Sequence, residues 1–208
     1  MAVTGFMLVG FLIVHLAGNL SLFADSDGTA FVAYANGMHE KLGPFLYVAE
    51  VGLLLLFVVH VRIAIALTLA NRAARPSAYR HSSSHGASTP ASRNMFISGS
   101  VVMGFIIIHL INFRFSEGHA VPDGVALHRQ VVAVLSNPLW AAVYVLGAVA
   151  VGVHVSHGFR SAFQSLGVSH PRITTMASRV GWILAAVVAV GFASFPIVAL
   201  ISWKGQTS

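Results

Sequence analysis

Apolar residues dominate five long stretches of the chain, near residues 1–23, 44–70, 95–114, 138–160 and 175–202. Each stretch is long enough to cross a hydrocarbon core, which needs about 20 helical residues. Their length, and the lack of the strict alternation of apolar and polar residues that marks strands, favour helices over a barrel. We therefore expect an all-α integral membrane protein with five transmembrane helices, forming a single domain over residues 1–208.

Two parts of the chain repeat each other at an offset of 94 residues. The segment GFLIVHL at 10–16 matches GFIIIHL at 104–110, and VHV at 59–61 falls on VHV at 153–155. The same offset pairs further identical residues: Gly5 with Gly99, Pro44 with Pro138, and Val51 with Val145. A duplicated two-helix unit, which supplies a four-helix core, plus a fifth helix outside the repeat accounts for all five stretches.

The repeat places one histidine in each of four apolar helices: His15, His60, His109 and His154. An imidazole inside a membrane is costly unless it has a partner, so such a residue indicates a functional site. Two symmetric pairs favour two bis-histidine haems. Zinc is disfavoured, because structural zinc sites take ligands at short spacing along the chain. For any single histidine, the alternatives are a hydrogen bond to a neighbouring helix or a place in a proton relay.

Charged residues make up only 9% of the chain, and their distribution predicts its orientation. Arginines without acidic neighbours follow the second and fourth stretches: Arg72, Arg75, Arg80, Arg93, Arg160, Arg172 and Arg179. Most acidic residues fall in the other two connections: Asp25, Asp27, Glu40, Glu117 and Asp123. Because cytoplasmic loops carry an excess of arginine and lysine, we expect the arginine-rich connections and the N-terminus on the cytoplasmic side. The basic face then suits protein docking, and no segment resembles a nucleic-acid-binding module.

The depth of each histidine predicts which ligands meet. His15 lies ten residues before Asp25, and His109 lies eight residues before Glu117, so both belong to the outer half of the membrane. His60 and His154 lie in the inner halves of their helices, as the rise of about 1.5 Å per residue requires. We therefore pair the first two with each other, and the second two likewise.

Further polar residues surround the inner pair in the predicted topology. His157 lies one helical turn after His154 and is the alternative fourth ligand; the repeat favours His154, because the position equivalent to His157 is Ile63. As a non-ligand, His157 would bond a haem propionate or line a quinone pocket. Three arginines lie at a similar depth: Arg62, Arg93 and Arg160. Arginine binds carboxylates in a bidentate way and suits haem propionates, whereas the alternative for each is snorkelling to the interface.

Several chemistries are excluded within this chain. It has no cysteine, so it offers no thiolate for an iron–sulfur cluster and no covalent c-type haem attachment. It also lacks the glycine-rich motifs of nucleotide and flavin domains, so a catalytic dehydrogenase would be a separate subunit. Glu50 is the only acidic residue deep within a predicted span. It either takes part in quinone protonation on the outer side or lies in interfacial water.

Several segments resemble the di-haem cytochrome b558 subunits of succinate dehydrogenases and fumarate reductases: residues 1–6 and 11–20, residues 91–95 and 105–110, and the run HVSHGFRSAFQSLG at 154–167. The resemblance implies a five-helix cytochrome b that anchors a flavoprotein subunit and an iron–sulfur subunit on the cytoplasmic side of a prokaryotic membrane. It also implies two haems b, with His15, His60, His109 and His154 as iron ligands. Such a subunit is non-catalytic and passes electrons to or from a respiratory quinone, usually menaquinone, within complexes that can form higher oligomers.

One position departs from the family pattern. Some di-haem fumarate reductases carry a glutamate two residues before the fourth ligand, where this chain has Gly152. A transmembrane proton path through that group is therefore not expected here. The competing functions are a di-haem cytochrome b anchor of a formate dehydrogenase, a hydrogenase or a b561-type reductase and, more distantly, a transporter with a histidine relay.

Overall fold

The computed structural model describes residues 1–73, 95–116, 123–168 and 170–203, which form seven α-helices without a strand. The long helices are α1 Ala2–Asn19, α3 Pro44–Ala73, α4 Met95–His109, α6 Pro138–Ser165 and α7 Pro171–Ser202; the short ones are α2 Thr29–Leu42 and α5 Gly124–Leu135. A 3₁₀ turn prolongs α1 to Phe23, and a π-helical turn prolongs α4 to Arg114. With these extensions, five helices are long and apolar enough to cross a membrane, which confirms the predicted all-α integral membrane fold.

Helix starts follow from local sequence. Asn137 Oδ1 accepts hydrogen bonds from the backbone N–H groups of Leu139 (3.0 Å) and Trp140 (3.3 Å), and Pro138 occupies the first helical position. Proline costs nothing there, because that N–H would have no helical partner. At the start of α7, His170 is the capping residue and Pro171 occupies the first helical position. His170 Nδ1 accepts a hydrogen bond from the backbone N–H of Arg172 at 3.3 Å. This start is four residues earlier than the hydropathy pattern predicts.

The repeated unit has three helices, whereas the sequence pattern showed only two. Adding the offset of 94 to α2 gives residues 123–136, which coincide closely with α5. Within the units, α1 packs on α3 and α4 packs on α6; between the units, α1 packs on α6 and α3 on α4. These contacts are equivalent under the repeat, as expected for two parallel copies related by an axis along the bundle.

The two units differ in how closely their helices pack. A side chain at Gly147 on α6 would collide with the ring of Phe105, so glycine lets α4 approach α6. Gly152, on the same helix, lies against Ala189 and the carbonyl oxygen of Ala185 on α7. The α6–α7 contact is the most extensive in the molecule. By contrast, no residue in the most apolar window of α3 is buried inside the protein.

The short helices cover one end of the bundle, which we call the capped end. Helix α2 packs on α5, where Asn36 Oδ1 accepts a hydrogen bond from the N–H of Gly124 at 2.8 Å. Phe31, Val132 and Trp203 belong to the buried apolar cluster at this end. The opposite end, which we call the open end, carries Met1 and the C-terminus of α6 at Ser165. Helices α2 and α5 thus cover the bundle at the capped end. His15 and His109 lie nearer to this end than His60 and His154 do.

Candidate functional site

His15 and His109 face each other in the half of the bundle nearer the capped end. Their ring centroids are 5.9 Å apart and the ring planes are nearly perpendicular, at 88°. His15 belongs to α1 and His109 ends α4, so equivalent residues of the two units meet across the repeat axis. The structure thus brings together the two side chains that the depth argument pairs.

Aromatic rings surround this pair, and we call them the aromatic cluster: Phe11, Phe105, Phe113, Tyr144 and Phe192. Phe11 stacks on His15 with centroids 5.3 Å apart, and Phe192 lies 5.6 Å from the same ring. On the other side, the rings of Phe113, Phe105 and Tyr144 lie 5.1, 6.1 and 6.1 Å from His109. The amide of Asn19, whose Nδ2 lies 3.4 Å from His15 Nδ1, is a polar neighbour in this largely apolar setting.

Polar contacts lie just beyond the aromatic cluster, at the π-helical turn Leu110–Arg114. Asn112 Nδ2 donates to Tyr144 Oη at 3.2 Å, and Arg114 Nη2 donates to Glu50 Oε2 at 2.9 Å. Isolated π-helical turns occur often at functional sites. Glu50 and Tyr144 are equivalent under the repeat, so one unit offers a carboxylate where the other offers a phenol. Glu50 is thus ion-paired, an arrangement that sequence reasoning did not anticipate.

His60 and His154 occupy the half of the bundle nearer the open end, and each meets a hydroxyl from the first helix of its own unit. His60 Nδ1 lies 3.0 Å from Thr4 Oγ1, and His154 Nδ1 lies 3.1 Å from Ser98 Oγ. His60 and His154 are equivalent residues of the two units, one against the start of α1 and the other against the start of α4. The two hydroxyl–histidine contacts of this second site are again related by the offset of 94.

His157 faces a different neighbour from His154. Three residues of helix separate the two positions by about 60° around the axis. The His157 ring makes an edge contact with Trp182 of α7 at 6.0 Å, whereas His154 meets Ser98 of α4. Arg160 lies one helical turn after His157 on the same helix. This end of α6 therefore groups a histidine and an arginine beside, rather than within, the His60–His154 site.

The other two arginines of the sequence prediction are not brought into either site by a described contact. Arg62 is exposed on α3. Arg93 lies outside the described residues. A propionate partner in the described part of the chain is therefore best sought at Arg160, which is half-buried.

The candidate metal ligands at each site are the nitrogen atoms of two imidazole rings. Among the described residues, no three histidine, cysteine or acidic side chains come together to hold a metal ion. Two imidazoles alone suit a metal whose remaining ligands come from a cofactor, and haem iron takes its axial ligands in this way. The chemistry of the site therefore fits the predicted haem better than a bare structural ion.

Sequence reasoning missed the hydroxyls and the aromatic cluster, although the signals were present. Thr4 and Ser98 are separated by the repeat offset and both carry a hydroxyl, but they are not identical residues, so they do not stand out in the repeat. Phe11 and Phe105 lie within the matched segments, four residues before their histidines, where helical side chains face the same way. Tyr144 and Phe192 lie on other helices, so no local pattern could place them.

Comparison with protein-family models, with curated proteins and with solved structures found no match. The functional interpretation of the chain accordingly depends on the two histidine sites and on the sequence motifs described above.

Proposed function

We propose that this chain is a di-haem cytochrome b that anchors a succinate:quinone oxidoreductase in the membrane and relays electrons between an iron–sulfur subunit and a quinone. The observation that carries the proposal is the meeting of His15 and His109, equivalent residues of two repeated units, inside the bundle. A second histidine pair at another depth supports it. Two sites on one path across the bilayer suit an electron relay.

His15 and His109 are the residues that would hold one haem, because their ring centroids lie 5.9 Å apart and no other helix has to move to bring them together. When bound at such a site, haem supplies reversible one-electron transfer.

In this proposal, the aromatic cluster and the arginines near the histidines have different roles. The aromatic cluster excludes water and holds the His15 and His109 rings in an environment of low dielectric, which tunes an iron potential. Arg160 supplies a charge-assisted donor for a propionate. Arg62 and Arg93 are further candidates for that task.

The open end is the proposed docking face. The positive-inside bias assigns this end to the cytoplasm, where an iron–sulfur subunit and its flavoprotein would bind. His157 and Arg160 lie at this end beside the His60–His154 site, and their donors suit a quinone carbonyl. We propose the quinone pocket there, with menaquinone the quinone expected from the family resemblance.

The test is purification of the intact complex from membranes of the source cell, followed by three measurements. A pyridine haemochrome assay should give two haems b per chain, a flavoprotein and a cysteine-rich subunit should copurify, and the complex should reduce quinone with succinate. Copurification with a formate dehydrogenase or hydrogenase subunit would assign the chain to that alternative. A dithionite-reduced spectrum without a b-type α band would contradict every haem proposal.

A further inference from the structure

Thr4 and Ser98 make the same pair of hydrogen bonds in the two units. Thr4 Oγ1 donates to the carbonyl oxygen of Met1 at 2.8 Å and also contacts His60 Nδ1 at 3.0 Å. Ser98 Oγ donates to the carbonyl oxygen of Met95 at 3.1 Å and contacts His154 Nδ1 at 3.1 Å. In both cases, 56 residues separate the hydroxyl from its histidine. An accidental contact would not be expected to recur with the same atoms in both units.

The position of the hydrogen atoms follows from counting donors. A serine or threonine hydroxyl has one hydrogen and two acceptor lone pairs. A hydroxyl that donates this hydrogen to the backbone carbonyl of Met1 or Met95 can only accept from the imidazole. That arrangement satisfies both contacts of each hydroxyl and requires a hydrogen on Nδ1 of His60 and of His154. In a neutral ring, this leaves the lone pair on Nε2.

Glycines next to Thr4 and Ser98 leave room for the rings of His60 and His154 to lie close to the neighbouring helix. A Cβ atom built on Gly5 would lie 3.7 Å from His60 Cε1, and one built on Gly99 would lie 3.3 Å from His154 Cε1. The second distance is tighter than ordinary van der Waals contact, so a side chain at position 99 would displace the ring. The pairs Thr4-Gly5 and Ser98-Gly99 thus combine an acceptor with the room that the ring needs.

We infer that Thr4 and Ser98 are positioning residues that fix His60 and His154 as Nδ1–H tautomers, with Nε2 as the metal-binding nitrogen. The role of Nε2 as a ligand rests on the proposed function, whereas the tautomer does not. Ligating histidines commonly donate the other ring N–H to an oxygen, which fixes the ring and raises its basicity. In the His15–His109 site, the neighbour of His15 Nδ1 is the amide of Asn19 at 3.4 Å, and the aromatic cluster surrounds the two rings, so the paired hydroxyl contacts are a feature of the open-end site.

The first test removes each hydroxyl in the purified complex. Thr4→Val and Ser98→Ala should each weaken retention of the open-end haem by about 10–100-fold, the usual cost of losing such a partner. They should also raise its reduction potential, because a less basic ligand stabilises ferric iron less, and leave the other haem unchanged. Thr4→Ser, which keeps the hydroxyl, should have the haem retention and the reduction potential of the wild type. Ser100→Ala is the matched control, because Ser100 Oγ donates only to its own helix, at the carbonyl of Phe96.

The second test reads the tautomer directly. In ¹⁵N-histidine NMR spectra of the dithionite-reduced protein, the wild type should show His60 and His154 with protonated Nδ1, and each variant should shift the Nδ1 resonance of one ring, because that N–H loses its acceptor. Unchanged potentials, haem retention and Nδ1 shifts in both variants would overturn the inference. A wild type without haem would defeat the proposed function, while its NMR spectrum would still decide the tautomer.

Discussion

The histidines inside the long helices occupy two chemically different settings. His15 and His109 are enclosed by the aromatic cluster, whereas His60 and His154 each bond a hydroxyl. The aromatic cluster surrounds its two imidazoles with a medium of low dielectric constant. Each hydroxyl, in contrast, fixes the orientation of one imidazole ring. A duplicated sequence has thus produced two similar sets of histidines with different neighbours, and under the proposed function these neighbours would give the two haems different properties.

Loss of either ligand of a pair should remove the same haem. His15→Ala and His109→Ala are each expected to abolish one low-spin haem signal, because one imidazole cannot complete the axial coordination. The signal that remains should be identical in the two variants. Optical and EPR spectra of purified protein provide the measurement. If His15→Ala and His154→Ala instead removed the same haem, the pairing would be wrong.

His157 should be dispensable for ligation. Its ring contacts Trp182 on α7, whereas the His154 ring contacts Ser98 on α4. His157→Ala is therefore expected to keep both low-spin signals and to change quinone reduction, whereas His154→Ala loses one signal. EPR spectra of the two variants, recorded together with quinone reduction rates, separate these roles. Loss of a haem in His157→Ala alone would reverse the assignment of the fourth ligand.

At the level of elements, the sequence predicts long helices well and short ones poorly. The five spans were predictable because the bilayer requires a long apolar run. Helices α2 and α5 contain polar residues and pack only one face on the bundle, so hydropathy missed them. Asp123, which accepts from the N–H of Val125 at 2.9 Å, was a readable start signal for α5. The aromatic cluster draws on several helices, so its assembly required the tertiary structure.

The contact between the capping helices should depend on one acceptor. Asn36 Oδ1 bonds the buried N–H of Gly124, so Asn36→Ala leaves that donor unpaired at a cost of about 1–3 kcal/mol. Asn36→Asp, which keeps the oxygen, is the matched control and should retain most of the stability. Thermal unfolding of the protein in detergent measures both. Equal midpoints for the wild type and Asn36→Ala would show that this bond does not stabilise the cap.

Acid should loosen the cap through His128. Burial lowers the pKa of His128 below its ordinary value of 6.5, while Asp25 and Asp27 partly oppose the shift. The unfolded chain then takes up the proton first as the pH falls, so the stabilising contribution is present above about pH 6.5 and declines below it. Hydrogen-exchange protection of α5 should be lower at acidic than at neutral pH. His128→Gln should remove this dependence, and a persistent pH effect would implicate another group.

In the whole molecule, close packing is concentrated on one side. Helices α6 and α7 share the most extensive interface, where Val188 and Ala199 are fully buried. The first unit is attached more loosely, and the Glu50–Arg114 ion pair is one of its links to the second. The rigid half can therefore hold the position of α4 and its histidine, while α1 and α3 complete the two sites from the other side.

The exposure of α3 has a consequence for how its sequence can vary. Leu54 and Leu55 are 54% and 59% exposed, so hydrocarbon solubility, and not shape, restricts which residues they accept. In a saturation-mutagenesis library, these positions should tolerate any large apolar residue with little change in protein level. Val188→Ala, at a site with 0% exposure, should cost at least about 0.5–1.5 kcal/mol, the range for one lost methylene. During evolution, the outward residues of α3 would exchange readily for other apolar residues while His60 is retained. Relatives of this chain should therefore differ most in sequence on that face.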